Sequence, residues 1–181
     1  MRAFLWCNGD LPSGKILSNF EEISPLFGVD GGGNKAKSLG FHVKEIFGDL
    51  DSIDNDNLET KMTLLKSQNI SDLTKTIVEL SKRGFTEFDI LGADGGDTGH
   101  MLGIWGSLAE LPVDLTIRLY HENSITHRIT SESGNFKINM EKERKFSIFA
   151  LSKCQNVYVK GAKWEIINEE LNLSTLSLIH I

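Results

Sequence analysis

The sequence predicts an α/β N-terminal domain with a mostly parallel sheet, followed by a smaller all-β, sandwich-like unit. Three observations predict it. Short apolar runs in the first two-thirds of the chain each end in a turn bearing glycine or aspartate. Helical apolar spacing fills stretches between those runs. After about Pro112 the pattern changes to short period-two segments with no helix between them. The boundary is expected near Tyr120 to Asn123, giving domains 1–120 and 121–181.

The elements follow in order. Ala3 to Cys7 is an apolar run ended by Asn8-Gly9-Asp10-Leu11-Pro12. Leu26 to Val29 ends at Asp30-Gly31-Gly32-Gly33, and Val43 to Phe47 ends at Gly48-Asp49-Leu50-Asp51-Ser52. The pattern over Lys61 to Lys66 fits helix and strand equally. Leu73, Ile77 and Leu80 fall at helical spacing, with Ser71 as N-cap, Asp72 in the first turn and Gly84 as the stop. Phe88 to Leu91 is the next strand, ended by Gly92-Ala93-Asp94-Gly95-Gly96, and His100 to Leu111 is a second helix. Further strands are expected at Leu115–Tyr120, Ser124–Thr130, Asn135–Met140, Phe146–Leu151 and Gln155–Val159. In a parallel sheet ligands bind at the carboxyl ends of the strands, and each acidic turn above lies at such an end.

The 181 residues are 40% hydrophobic and 24% charged, enough for a packed core and unlike a disordered chain. A net charge of -6 argues against nucleic acid as partner, because phosphate backbones need basic surface. No stretch approaches the ~20 apolar residues of a membrane span, and the N-terminal run is too short for a signal peptide. A cytoplasmic location is expected. Cys7 and Cys154 have no metal or redox spacing and read as small core residues. His42, His121, His127 and His180 share no ligand spacing, so surface or core roles are expected; Trp6 and Trp105 read as core.

The acidic turns carry the chemistry. Asp49 and Asp51 are two residues apart after a strand, a spacing that points both carboxylates to one side in extended chain. Convergent carboxylates suit Mg²⁺, a hard cation that shares oxygen ligands with substrate phosphates. Asp30 ends the preceding strand and opens a glycine run whose amides can approach a phosphate. Asp72 stands at a helix start.

At these residues the chain resembles the thiamine pyrophosphokinase family. Asn8-Gly9, Val29-Asp30-Gly31-Gly32-Gly33-Asn34, Phe47-Gly48-Asp49-Leu50-Asp51-Ser52-Ile53, Gln68-Asn69-Ile70-Ser71-Asp72-Leu73-Thr74-Lys75 and Lys160-Gly161-Ala162-Lys163-Trp164 resemble its motifs, in family order. The resemblance implies an α/β nucleotide domain, a β-sandwich and a homodimer. It implies Mg²⁺-dependent transfer of a pyrophosphoryl group from ATP to thiamine, giving AMP and thiamine diphosphate. By resemblance, Asp49, Asp51 and Asp72, with Asp30, would bind Mg²⁺ as the catalytic and metal set. Gln68, Lys75, Asn34 and His100 would serve the nucleotide; Trp164 and Ser174 would lie near the thiamine pocket. The family pattern favours strand over 62–66.

Two stretches depart from the family. Gly95-Gly96-Asp97-Thr98-Gly99-His100 has Asp97 where the family carries arginine and Gly99 where it carries aspartate. An anion in place of a cation beside phosphates costs on the order of a few kcal/mol in a partly buried site. After Leu171-Asn172-Leu173-Ser174-Thr175 the family continues through further strands, whereas here Leu176-Ser177-Leu178-Ile179-His180-Ile181 follows, a run that looks like a translated library-adapter sequence, the alternative being a naturally short homologue; an incomplete sandwich is expected. Two other functions fit the same residues: a Mg²⁺-dependent nucleotide or phosphate hydrolase, and a thiamine- or nucleotide-binding homologue without turnover.

Overall fold

The computed structural model describes residues 1–49, 60–65 and 69–173, and the backbone of 177–180. They form two compact units, 1–134 and 135–181.

In the first unit, β1 (Arg2–Trp6), β2 (Leu26–Val29), β3 (Val43–Gly48), β4 (Lys61–Leu64), β5 (Glu87–Leu91), β6 (Thr116–Tyr120) and β7 (Ile125–Arg128) make one sheet. Its order is β4-β3-β2-β1-β5-β6-β7, parallel throughout except for the antiparallel β6–β7 pair. The chain runs outward from β1 through β2 to β4, then crosses back to add β5 on the other side of β1. The switch point of this doubly wound sheet therefore lies between β1 and β5. Residues 61–64 are strand, as the family pattern favours.

Alternation along the strands decides which helix covers which face. Phe4, Trp6, Leu26 and Ile46 pack with Ile16 of α1 (Gly14–Leu17) and Ala36 of α2 (Gly32–Ser38). Phe27 and Phe47 point the other way. Phe85, just past α3 (Asp72–Lys82), meets Phe27 edge-on, and Arg83 lies over the Phe47 ring. The helix α3 in turn contacts α4 (Thr98–Glu110). Each fully buried large apolar side chain in these layers contributes about 1.5–3 kcal/mol. Glu45, nearly fully buried on β3, is neutralised by Arg83 at 2.8 Å and Lys61 at 3.2 Å and accepts a bond from Thr63, which fastens β4 to β3.

The glycine run after Asp30 does not read as a helix, yet α2 begins there. Its glycines permit close packing. A Cβ on Gly32 would lie 2.1 Å from the Trp6 carbonyl oxygen, and one on Gly28 would lie 2.4 Å from Gly33 Cα. Helix and strand touch backbone to backbone at this point.

The residue-121 boundary falls between β6 and β7. Because β7 bonds to β6, with Leu119 opposite Thr126, the first unit continues to Gly134. The strand expected at 135–140 does not form. Its alternating Phe136 and Ile138 are exposed, and alternation supplies no hydrogen-bonded neighbour by itself.

The second unit contains β8 (Lys145–Ile148), β9 (Cys154–Val159), β10 (Ile166–Leu171) and β11 (Ser177–His180). They form antiparallel pairs β9–β10 and β8–β11. Ala150, Ile166 and Leu171 are its buried centre, flanked by Phe146, Ile148, Cys154, Val157 and Val159.

Candidate active site

The turns leaving β1 and β5 meet at the switch point. Gly9 N–H donates to Gly92 O at 2.9 Å and Asp10 N–H to Asp94 O at 2.6 Å. Gly9 has no room for a side chain, since a Cβ there would lie 2.1 Å from Asp94 O. Two cavities flank this junction. One, of about 240 Å³, is lined by Asp10, Leu11, Gly92, Asp94, Tyr120 and Glu122 among others. The other, of about 390 Å³, is lined by Asn8, Gly9, Asp10, Lys35, Gly96, Asp97 and His100. Asp10 borders both.

The exits of β2 and β3 bring Asp30 against Gly48, the residue before Asp49. Asp30 N–H bonds to Phe47 O at 2.7 Å, and a Cβ on Gly48 would lie 3.2 Å from Asp30 Cα. Asp30 holds a left-handed backbone, φ +51°, a conformation aspartate tolerates better than most residues. Its Oδ2 lies 3.5 Å from Asn8 Nδ2. Its Oδ1 is buried with no hydrogen-bond partner among the described residues, and so is Asn34 Oδ1 on α2. Buried oxygens left bare in this way cost free energy unless a ligand, ion or water completes them. Among the described residues no three carboxylate, histidine or cysteine side chains cluster closely enough to hold a metal by themselves. The donor set is nonetheless hard oxygen, and the bare Asp30 Oδ1 fits a divalent cation of the Mg²⁺ class.

Asp72 opens α3, capped by Ser71, whose hydroxyl accepts Thr74 N–H at 3.1 Å. Its Oδ1 pairs with Lys75 Nζ at 2.6 Å, and the same ammonium reaches Leu65 O at 3.3 Å. Leu65 N–H in turn donates to Gly48 O at 2.8 Å. The Asp72–Lys75 pair is thus tied to the β3 exit that carries Asp49. His100 is exposed, its backbone N–H held by Asp97 Oδ1 at 2.8 Å. Asp97 is the N-cap of α4, so the family arginine's position here holds a helix-capping acid. Asp51, Gln68 and Ser174 lie outside the described residues. Trp164, in the second unit, is half exposed, with Lys163 Nζ 4.6 Å from its ring centre.

Two groups escape a linear reading. His121 bonds through Nδ1 to Asp94 and through Nε2 to Thr126 Oγ1 at 2.9 Å, and it stacks with Trp105. Asp94 stood among the acidic turns, but nothing local marks His121 as its partner. Asp89, inside an apolar run, is fully buried; it accepts bonds from Arg2 and Arg118. Burial, followed by the Asp89 charge, pushes the Tyr120 hydroxyl up to about 12. Burial also pushes the Cys7 thiol up to about 12, which makes it an inert core residue.

The fold and this junction define a doubly wound α/β protein with an acidic, glycine-walled crevice at its switch point, where such sheets bind their ligands. The chain belongs to the thiamin pyrophosphokinase family: residues 18–121 match the model of the thiamin pyrophosphokinase catalytic domain. No curated protein sequence matches it significantly. Solved structures share its fold. It is similar to thiamine pyrophosphokinase from Bacillus subtilis, with TM-score 0.65 and 18% identity over 99% of this chain and 88% of that one. Thiamin pyrophosphokinase from Geobacillus thermodenitrificans gives TM-score 0.63 and 16% identity over 99% and 87%. A protein from Lactobacillus plantarum gives TM-score 0.70 and 16% identity over 99% and 88%. At these identities the likeness speaks to fold.

Proposed function

We propose that the protein is a Mg²⁺-dependent thiamine diphosphokinase, converting ATP and thiamine to AMP and thiamine diphosphate. The observation that carries this reading is the bare, buried Asp30 Oδ1, on a residue packed against Gly48 at the β3 exit, within the stretch that matches the family's catalytic domain. Asp30, Asp49, Asp51 and Asp72 would hold Mg²⁺ jointly with the substrate phosphates, and its charge would offset that of the polyphosphate. Lys75, already oriented by Asp72 and Leu65 O, binds phosphate with Gln68, Asn34 and His100. Trp164 and Ser174 bind thiamine.

The reaction asks mainly for alignment and charge neutralisation. The thiamine hydroxyl oxygen bonds to the β-phosphorus. The bond from that phosphorus to the α–β bridging oxygen breaks, AMP leaves with that oxygen, and the hydroxyl proton passes to water. Cytoplasmic action as a homodimer belongs to the same reading; among the described residues no helix is long and apolar enough to cross a membrane.

The test is AMP release from ATP and Mg²⁺ by the purified chain, with and without thiamine. Thiamine-dependent AMP with matching thiamine diphosphate is expected. Asp30→Asn, which keeps the Asn8 contact but removes the charge, should lower the rate at least about a hundredfold at unchanged melting temperature. Phosphate release without thiamine would instead identify a hydrolase. The capping role of Asp97 favours one second reading, a thiamine- or nucleotide-binding homologue without turnover, since it puts an acid in a cavity that also contains Asp10. Binding without AMP release would mark that case.

A further inference from the structure

The Asn8-Gly9-Asp10 turn is gripped from two sides. On the β5 side its amides donate to Gly92 O and Asp94 O. On the α2 side the Lys35 ammonium donates to the carbonyl oxygens of Asn8 at 2.7 Å and Gly9 at 2.6 Å. The lysine spends two of its three donors on neutral carbonyls, although Asp10 and Asp97 line the same cavity. Bonds from an ionised donor are roughly twice as strong as neutral ones.

What the turn carries gives this clamp its meaning. Asp10 is the wall common to both cavities. Asn8 presents its amide to Asp30 Oδ2, and Oδ1 of that carboxylate is the bare one. Asn8 also packs on the α2 entry, where a Cβ on Gly31 would meet its amide at 2.7 Å. A shift of the turn would move Asn8 against Asp30 and Asp10 between the cavities.

We propose that Lys35 is a positioning residue of the metal and phosphate site, tying α2 to the turn at the switch point and setting how Asn8 meets Asp30. Its consequence for turnover rests on the pyrophosphokinase reading; its geometry does not. In this role Lys35 acts through the turn it holds, by way of Asn8 and Asp10.

The test uses the full chain with K35M, K35R and N8A. Three quantities are read: amide hydrogen exchange at residues 8–10, Mn²⁺ binding in the presence of ATP followed by electron paramagnetic resonance, and the kinetics of AMP release. K35M should speed exchange at Gly9 and Asp10 by about tenfold, with β3 amides unchanged. It should weaken Mn²⁺ binding by about tenfold, the lower end of what losing an outer-shell partner costs a metal site. KM for ATP should rise by a similar factor with kcat nearly constant, the mark of lost uniform binding. K35R, which keeps the charge and donors, should restore most of each effect, and N8A should reproduce the Mn²⁺ loss.

Unchanged exchange in K35M overturns the proposal. So does faster exchange with unchanged Mn²⁺ affinity and KM, because the lysine would then serve the fold alone. Should K35M fail to fold, N8A decides, and normal Mn²⁺ affinity in N8A is the overturning result. If the unsubstituted chain binds Mn²⁺ and ATP but releases no AMP, the kinase reading fails while exchange and Mn²⁺ binding still judge Lys35. If it binds no Mn²⁺, both fall.

Discussion

Asp97 replaces a family arginine, and its Oδ1 accepts the His100 amide to cap α4. Two demands meet on one residue: a helix start wants an acceptor, and a phosphate site wants a cation. Asp97→Ala should lower stability by about 1 kcal/mol in urea unfolding, the usual worth of such a cap. Asp97→Arg should lose the same cap yet bind ATP more tightly, since the cation joins a cavity that holds Lys35 and His100. A fall in stability without any gain in affinity would show that the phosphates do not lie there. Restoring the second family residue meets a nearer obstacle, because a Cβ on Gly99 would lie 3.1 Å from Asp97 Oδ1. The acids at strand ends were legible from sequence because turn position and residue type coincide in Asp30 and Asp49. Asp89 was not, because its partners Arg2 and Arg118 are remote in sequence and only strand pairing sets them beside it.

Among the elements, β3 and β4 depend on a buried acid. Burial alone would raise the Glu45 carboxyl pKa, but hydrogen bonds from Arg83, Thr63 and Lys61 outweigh it and hold the group below its usual 4.5. A folded-state value below the unfolded one means that the stabilisation is full above about pH 4.5 and is lost as pH falls through the folded value. As pH falls below about 4.5, the melting temperature should therefore drop more steeply in the natural chain than in Glu45→Gln. The variant should be the less stable of the two at neutral pH, with the gap closing in acid; a constant gap would contradict the assignment. Removing one partner of a buried pair is the costly direction, since Arg83 then loses its nearly buried counter-ion and keeps the more exposed Glu79. The α3 signals, Ser71 cap and apolar spacing, were readable and the helix starts where they put it. The helix α2 was not readable, because Gly31-Gly32-Gly33 signals a turn locally while packing against Trp6 and Ile46 requires glycine there.

At the scale of the molecule, the two compact units differ in core. The first has helices on both faces of a seven-stranded sheet, whereas the second centres on Ala150, Ile166 and Leu171. A fragment of residues 1–134 should unfold in one cooperative transition, followed by circular dichroism, while residues 135–181 alone should show none, since a core of that size rarely stabilises a free domain.

The α/β class, the acidic strand-end turns, the α3 helix and the family could all be read along the chain, because these depend on local pattern: period, turn chemistry and residue order. It took the folded chain to show that β1 and β5 flank the switch point, that Lys35 clamps the turn leaving β1, and that Asp97 caps α4 within the cavity. Those facts depend on strand order and on contacts between residues far apart in the chain, which no local window contains. The same holds for the bare Asp30 Oδ1, since whether a carboxylate oxygen finds a partner is known only once its neighbours are in place.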